Sequence, residues 1–458
     1  MSDRRGTHFA LIPLGLALLN AACNPSNPGG GTGVCSFSVT TNAISPKMAT
    51  VGIVEWSTTL PNLASAQIVY SLNDAGAGVL NGGGTAPVDL TKANHRTLLL
   101  GLKPQSGYTF HIEATDAAGV SCASPDYALP WTGVLAGAPA IQRTAVNAAA
   151  QAGGFIVTSS GVTDDSYAIV IDADGTVVWY APSPAQCTRA RMDYEGANMW
   201  MVAVNEDNST GEMRFVSMDG LTTMTNIGGL SNAHHDLAVL PGKIAAMVWA
   251  GAAADAESDL VEMSSDGSGS PTTVFEIGSN LYVGGTEPYQ AYHCNSILYH
   301  PTDDSFTIGD RYPNLYVKVS HAGAVQWQLG GSCVNAPAGP AYCQEEIWQV
   351  NHGHHLLDDG TMLIFNNNIE GGASEVREFQ LDTNGGLSAT EVKDFKYDDI
   401  SVPVLGDVQR LPNGNTLITY STAGEIVEVD PSWAPVQTIA GPQGYADWRA
   451  TLYGPPAR

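Results

Sequence analysis

Apolar residues in this chain come in short runs separated by turns, and no stretch of useful length holds them at helical spacing. The clearest example runs from Gln349 to Asn368. There the apolar pair Leu356-Leu357 meets the turn Asp358-Asp359-Gly360, and a second run follows from Met362 to Phe365. Two apolar runs around an Asp-Gly turn predict a β-hairpin. The same unit recurs, each time with a histidine ahead of it. His352 precedes Leu356-Leu357, His293 precedes Ile297-Leu298, and His235 precedes Val239-Leu240 at the same interval. Equivalent positions of a structural repeat lie on one face, so these three imidazoles are expected to converge.

A second repeat, an Asp-x-x-Gly turn followed by an apolar or tryptophan strand, is seen at Asp172–Gly175 before Trp179 and again near Gly220, Gly267, Gly323, Gly385 and Asp430. Six units spaced roughly 45 to 60 residues apart suit the blades of a β-propeller with loop insertions. The fold class expected is therefore all-β, with a six-bladed propeller over residues 134–458. Ahead of it, residues 35–133 show alternating strands. The run from Leu102 to Gly119, a Leu-x-Pro turn leading into a tyrosine strand that ends in Asp-x-x-Gly, resembles the late strands of a fibronectin type III domain. A small fibronectin III/Ig-like β-sandwich is read there. It carries no convergent catalytic set, so support or homodimer formation is the role expected of it.

The N-terminus changes the picture of compartment. Arg4-Arg5, an apolar segment from Phe9 to Leu19 and small residues after it predict a signal peptide over residues 1–22, too short to span a membrane. Ala21-Ala22-Cys23 resembles a bacterial lipobox, with Asn20 where that pattern carries leucine. The resemblance implies lipidation of Cys23 and membrane anchoring through it. Residues 23–34 have linker composition. Export to the periplasm or cell surface makes disulfides expected, with Cys35 and Cys122 bracketing the sandwich and Cys333 and Cys343 bracketing a loop before Gln349. Cys187 and Cys294 are left open, as a pair or as buried thiols. A formal net charge of −26 excludes nucleic acid as a partner and obliges any anion site to rest on local positive groups.

Candidate chemistry gathers around the three histidines. Asn295 lies two residues beyond His293 on the same strand face, and Arg311 lies on the following strand. Cys187 and Gly406 take the histidine's place in two other units. Asp236 follows His235 directly and is expected to face away, leaving no carboxylate in the ring. His234, His300, His354 and His355 are read as strand or loop histidines. Three imidazoles, a carboxamide and a guanidinium suit a tetrahedral anion such as sulfate, with one imidazole able to attack it. Two other readings are a metal-binding propeller enzyme, since three histidines suit zinc, copper or iron, and a non-catalytic surface lipoprotein that binds a partner. The positive charge of Arg311 argues against a bound cation.

The pair His293-x-Asn295, its interval to Arg311, the segment Val317–Trp327 and the run Gln409–Leu417 resemble the bacterial arylsulfotransferases. The resemblance implies a propeller enzyme that moves a sulfuryl group from a phenolic sulfate ester to a phenolic acceptor by a ping-pong cycle. The group would rest on a histidine, with no metal or nucleotide cofactor. It places the nucleophile on His352 and the surrounding groups on His235, His293, Asn295 and Arg311, and it implies a disulfide joining Cys333 to Cys343.

Overall fold

The structure, a computed structural model, describes residues 35–456 except 75, 77, 164–165, 205–210, 251–256, 281–292, 332–338 and 344–346. The signal peptide, the linker, Cys23 and Cys333 lie outside the described residues. The fold is all-β apart from single helical turns such as Ile277–Asn280. Among the described residues no helix is long and apolar enough to cross a membrane.

Residues 37–129 form two antiparallel sheets, one of Phe37–Ile44, Gly52–Thr58 and Thr97–Leu99, the other built on Leu63–Leu72 and Tyr108–Asp116. Tyr108–Asp116 alternates buried and half-buried positions along its whole length, the signature of a strand with one face on a core. Trp56, Ile68, Phe110 and Ile112 fill that core. Met48, Val51 and Leu100 leave it to join Val157, Val170, Trp179 and Met201 in a shared cluster. Burying each of the Met, Val and Leu side chains among these contributes about 1.5–3 kcal/mol. Thr50 Oγ1 donates to Val178 O at 2.7 Å, and Arg96 pairs with Asp219 at 2.7 Å. The two regions are thus packed together.

Six sheets of four or five strands follow among the described residues, each antiparallel in its first four strands. The first is closed by the end of the chain, since Ala446–Arg449 pairs with Phe155–Ser159. The last is completed by an early strand, Gln142–Ala145 on Pro435–Ala440. The innermost strands are Gln186–Met192, Ala233–Leu240, Cys294–His300, Asn351–Leu356, Asp407–Arg410 and Ala446–Arg449. They are tied side to side in a closed ring. Thr188 Oγ1 donates to His235 O at 2.8 Å, Ile297 N to Asp236 Oδ2 at 3.0 Å, and Ser296 Oγ to His352 O at 3.0 Å. Gly353 N donates to Gly406 O at 2.9 Å and Trp448 N to Gln409 Oε1 at 2.7 Å; Tyr445 N donates to Thr188 O at 3.2 Å and shuts the circle. This is a propeller-like arrangement.

Gly406 stands where other units carry histidine because no side chain fits. Its φ is +112°, and a Cβ there would come within 2.1 Å of the Phe365 ring.

Candidate functional site

Each of the first four inner strands has a register break close to its conspicuous residue: Cys187/Arg189, Ala233/Leu237, Cys294/Ser296 and Asn351/His354. A bulge re-aims a side chain that simple alternation would send elsewhere. At His235 the backbone turns into the left-handed region, with φ +56°, and Val350 does so just before His352, with φ +60°. Such conformations cost of order 1–3 kcal/mol and are held by their surroundings. Here Val350 N donates to Asn314 Oδ1 at 2.7 Å.

The bulges bring the histidines together. His235 Nε2 and His293 Nε2 lie 3.1 Å apart, so one of them carries the proton between the rings. Arg311 N donates to His293 O at 3.2 Å, which sets the guanidinium beside this pair. Its charge acts on His235, His293 and His352 alike. Burial, reinforced by Arg311, pushes His235 down to about 3 and holds His293 and His352 well below the ordinary imidazole value. All three rings are neutral near pH 7. Arg311 has no carboxylate partner among the described residues, and its Nε is buried without a hydrogen bond.

His352 is held in one tautomer. Its Nδ1 donates to Asn367 Oδ1 at 2.5 Å, and the Asn367 amide is oriented by donating to Val402 O and Leu405 O, both at 2.8 Å. The proton is therefore on Nδ1, and Nε2 presents its lone pair, buried and without a partner. The His352 carbonyl accepts from Ser296 Oγ and Tyr316 OH, both at 3.0 Å, which fixes the backbone as well.

Asn295 plays a different part from the one its spacing suggests. Its Nδ2 donates to Asn351 O at 2.7 Å, tying the His293 strand to the residue before His352, and its Oδ1 is left as a buried acceptor. As placed, Asn295 is a tether with a free acceptor rather than a donor to an anion. Asp236 also departs from expectation. The bulge at His235 breaks alternation, and Asp236 turns inward to receive Arg189 at 2.6 and 3.1 Å. Arg189 reaches Asp407 at 2.8 Å, and Arg191 grips Asp447 at 2.5 and 2.9 Å. This buried ion cluster lies among four inner strands, and burial pushes Asp407 up to about 6. Tyr445 lies between the cluster and the site, with the Arg189 guanidinium 4.4 Å from its ring centre and the His352 ring 6.5 Å from it. Beyond the cluster, a separate cavity of about 420 Å³ is lined by Arg191, His354, His355 and Trp448; none of the three site histidines borders it.

Two contributors escape the sequence reading. Asn367 is the middle residue of the polar run Asn366–Asn368 at the end of an apolar strand, a run whose only sequence signal is its polarity. His234, read as a strand histidine, stacks on Trp249 at 3.7 Å between ring centres and sets its Nδ1 2.8 Å from His235 Nδ1. Cys187 and Cys294 are buried free thiols. Cys35, Cys122 and Cys343 are disulfide-bonded.

Residues 261–439 match the arylsulfotransferase (ASST) family. The matched segment contains His293, Asn295, Arg311 and His352 but not His235. Among curated proteins none matches the sequence. Similar solved structures include a catalytically inactive variant of virginiamycin B lyase from Staphylococcus aureus with quinupristin. It is 11% identical with TM-score 0.39, over 65% of this chain and 88% of that one. A streptogramin B lyase is 12% identical with TM-score 0.38, over 65% and 86%. A nidogen/laminin complex is 11% identical with TM-score 0.40, over 64% and 99%. Likeness this distant carries no argument about chemistry.

Proposed function

We propose that this protein is an arylsulfotransferase that carries the sulfuryl group on His352 between a phenolic donor and a phenolic acceptor. The observation that carries the reading is the pairing of two unmet needs in one place. A nucleophilic nitrogen, His352 Nε2, is buried without a partner beside a guanidinium that lacks a counter-ion among the described residues. Arg311 is half-buried with its Nε fully enclosed, and a partly desolvated cation without an anion is costly; a sulfate ester supplies the anion. The family match over residues 261–439 supports the same chemistry.

In the first half-reaction the His352 Nε2 lone pair attacks sulfur. The bond from sulfur to the aryl oxygen breaks, and its electrons leave with the phenolate. Arg311 holds the sulfuryl oxygens through the transfer. The phenolate is protonated through the His235–His293 pair, whose Nε2 atoms hydrogen-bond each other, one ring nitrogen taking up a proton as another gives one up so that neither ring becomes an imidazolate. In the second half-reaction an acceptor phenol returns a proton to that pair as its oxygen takes the sulfur from His352. Asn367 keeps the Nδ1 proton in place throughout.

The wider setting proposed is an exported chain, periplasmic or at the outer membrane or cell surface, with Cys23 lipidated, Cys343 bonded to Cys333, and the 35–133 sandwich available for a homodimer. Purified protein given p-nitrophenyl sulfate and a phenol should form the phenyl sulfate, and a chelator should leave the rate unchanged. Loss of transfer on chelation, with a stoichiometric metal in the untreated protein, would favour the metal reading instead.

A further inference from the structure

The site histidines are one end of a longer polar chain that the transfer reaction above does not use. His235 Nδ1 lies 2.8 Å from His234 Nδ1, and His234 Nε2 lies 3.3 Å from Ser258 Oγ. Ser258 also hydrogen-bonds the Cys294 thiol, and Cys294 Sγ lies 3.4 Å from Asp310 Oδ2. His234, Ser258, Cys294 and Asp310 are each no more than 1% exposed. One assignment of protons satisfies every link in a single direction. His293 Nε2 donates to His235 Nε2, His235 Nδ1 to His234 Nδ1, and His234 Nε2 to Ser258 Oγ. Ser258 then donates to Cys294 Sγ, and the thiol donates to the Asp310 carboxylate.

We propose that this chain is a proton relay, with Asp310 storing the proton that the leaving phenolate and the acceptor phenol exchange through His293 and His235. The proposal rests on the sulfuryl-transfer reading of the site. In the acceptor half-reaction the phenol's proton arrives at His293 Nδ1. Each ring, the hydroxyl and the thiol then pass on the proton at their far side, and one proton arrives at Asp310. In the donor half-reaction every hop reverses, and Asp310 is left ionised. Nothing is oxidised, and each half-reaction moves one proton.

The ends of the relay suit this use. Asp310 faces the Cys294 thiol, receives the backbone N–H groups of His293 and Tyr312, and feels Arg311 at a distance. Burial nonetheless pushes its carboxyl up to about 7, so it gains and loses a proton near neutral pH. The three imidazoles are held neutral by burial, so none of them traps the proton on the way. His234 acts through His235 and is a positioning residue, clamped by Trp249 so that its Nδ1 stays aimed.

The test compares two donors. Nitrophenolate is stable as an anion near neutral pH and leaves without a proton, whereas unsubstituted phenolate (pKa about 10, as for tyrosine) needs one. Single-turnover rates with p-nitrophenyl sulfate and phenyl sulfate give a ratio that isolates proton delivery. Cys294→Ala and Asp310→Asn should each slow phenyl sulfate relative to p-nitrophenyl sulfate on the order of 10²-fold. Cys294→Ser, which restores a hydroxyl link, should keep the wild-type ratio within a few-fold. Should Asp310→Asn fail to fold, the Cys294 pair of variants decides alone. Equal slowing of both donors, or an unchanged ratio in Cys294→Ala, overturns the relay. If the wild-type protein transfers from neither donor, the reading of the site itself fails.

Discussion

Arg311 carries a charge that nothing described around it cancels, in a chain with 45 acidic residues. Replacing it by lysine exchanges a planar fork for a point charge, so one sulfuryl oxygen loses its donor. Arg311→Lys should lower turnover on the order of 10²-fold, the scale of one preorganised donor removed, as read in steady-state assays with an aryl sulfate. Asn367 acts on His352, the nucleophile proposed. Without its carbonyl the His352 ring is free to change tautomer and rotate, and Asn367→Ala should lower kcat by roughly 10²-fold with KM little changed. An equal rise in KM would assign Asn367 to binding instead. The three histidines are legible in the sequence because a repeat repeats its side chains, and Arg311 because it lies at the end of the strand that follows His293. Asn367 is not, because it reaches His352 across a contact between neighbouring strands, and His234 is not, because alternation sends adjacent residues to opposite faces and only the register break between Ala233 and Leu237 brings its ring to His235.

At the scale of strands, the bulges do most of the placing. A strand read by alternation alone sends Asp236 away from the axis, whereas the register break between Ala233 and Leu237 turns it inward onto Arg189. The strand Gly83–Pro87 also escapes a reading based on apolar runs, since Gly83, Gly84 and Thr85 offer none. Gly84 lies there because a Cβ would meet the Tyr70 hydroxyl at 2.6 Å. The apolar hairpins, by contrast, are legible because each buries one continuous run. Gly406 shows how tightly neighbouring inner strands fit. Gly406→Ala must leave a left-handed backbone and push Phe365 aside, two residues before Asn367. Chemical denaturation should register a loss of about 1–3 kcal/mol. The same variant should lose activity beyond its loss of folded protein, because the Asn367 strand moves with Phe365.

The whole molecule buries titratable groups in unusual number. His234, His235, His293, His300, His352, His354 and His355 are all held below the ordinary imidazole value, chiefly by burial. An unfolded chain takes up protons on such groups below pH about 6.5, and the folded one does not. Their contribution to stability is therefore complete above that pH and is lost as pH falls. His321 works the other way. It is paired with Glu262 and Asp304 at 2.7 Å, and those pairs raise it against the opposing effect of burial. Its contribution is present below the unfolded value and fades as pH rises through the folded one. Seven against one, the histidines predict that the melting temperature falls on acidification below about pH 6.5, and a melting series across roughly pH 5 to 8 should register that slope. The sulfohistidine itself is the most direct test of the account. Protein mixed with an aryl sulfate and no acceptor should release one phenol per site, then slow. The peptide spanning Gln349 to Phe365 should gain about 80 Da, an SO₃ group on His352. His352→Ala should lose both the burst and the adduct. His235→Ala and His293→Ala should slow the burst and still allow the adduct. An adduct mapped to His235 or His293, or turnover by His352→Ala, would contradict the account.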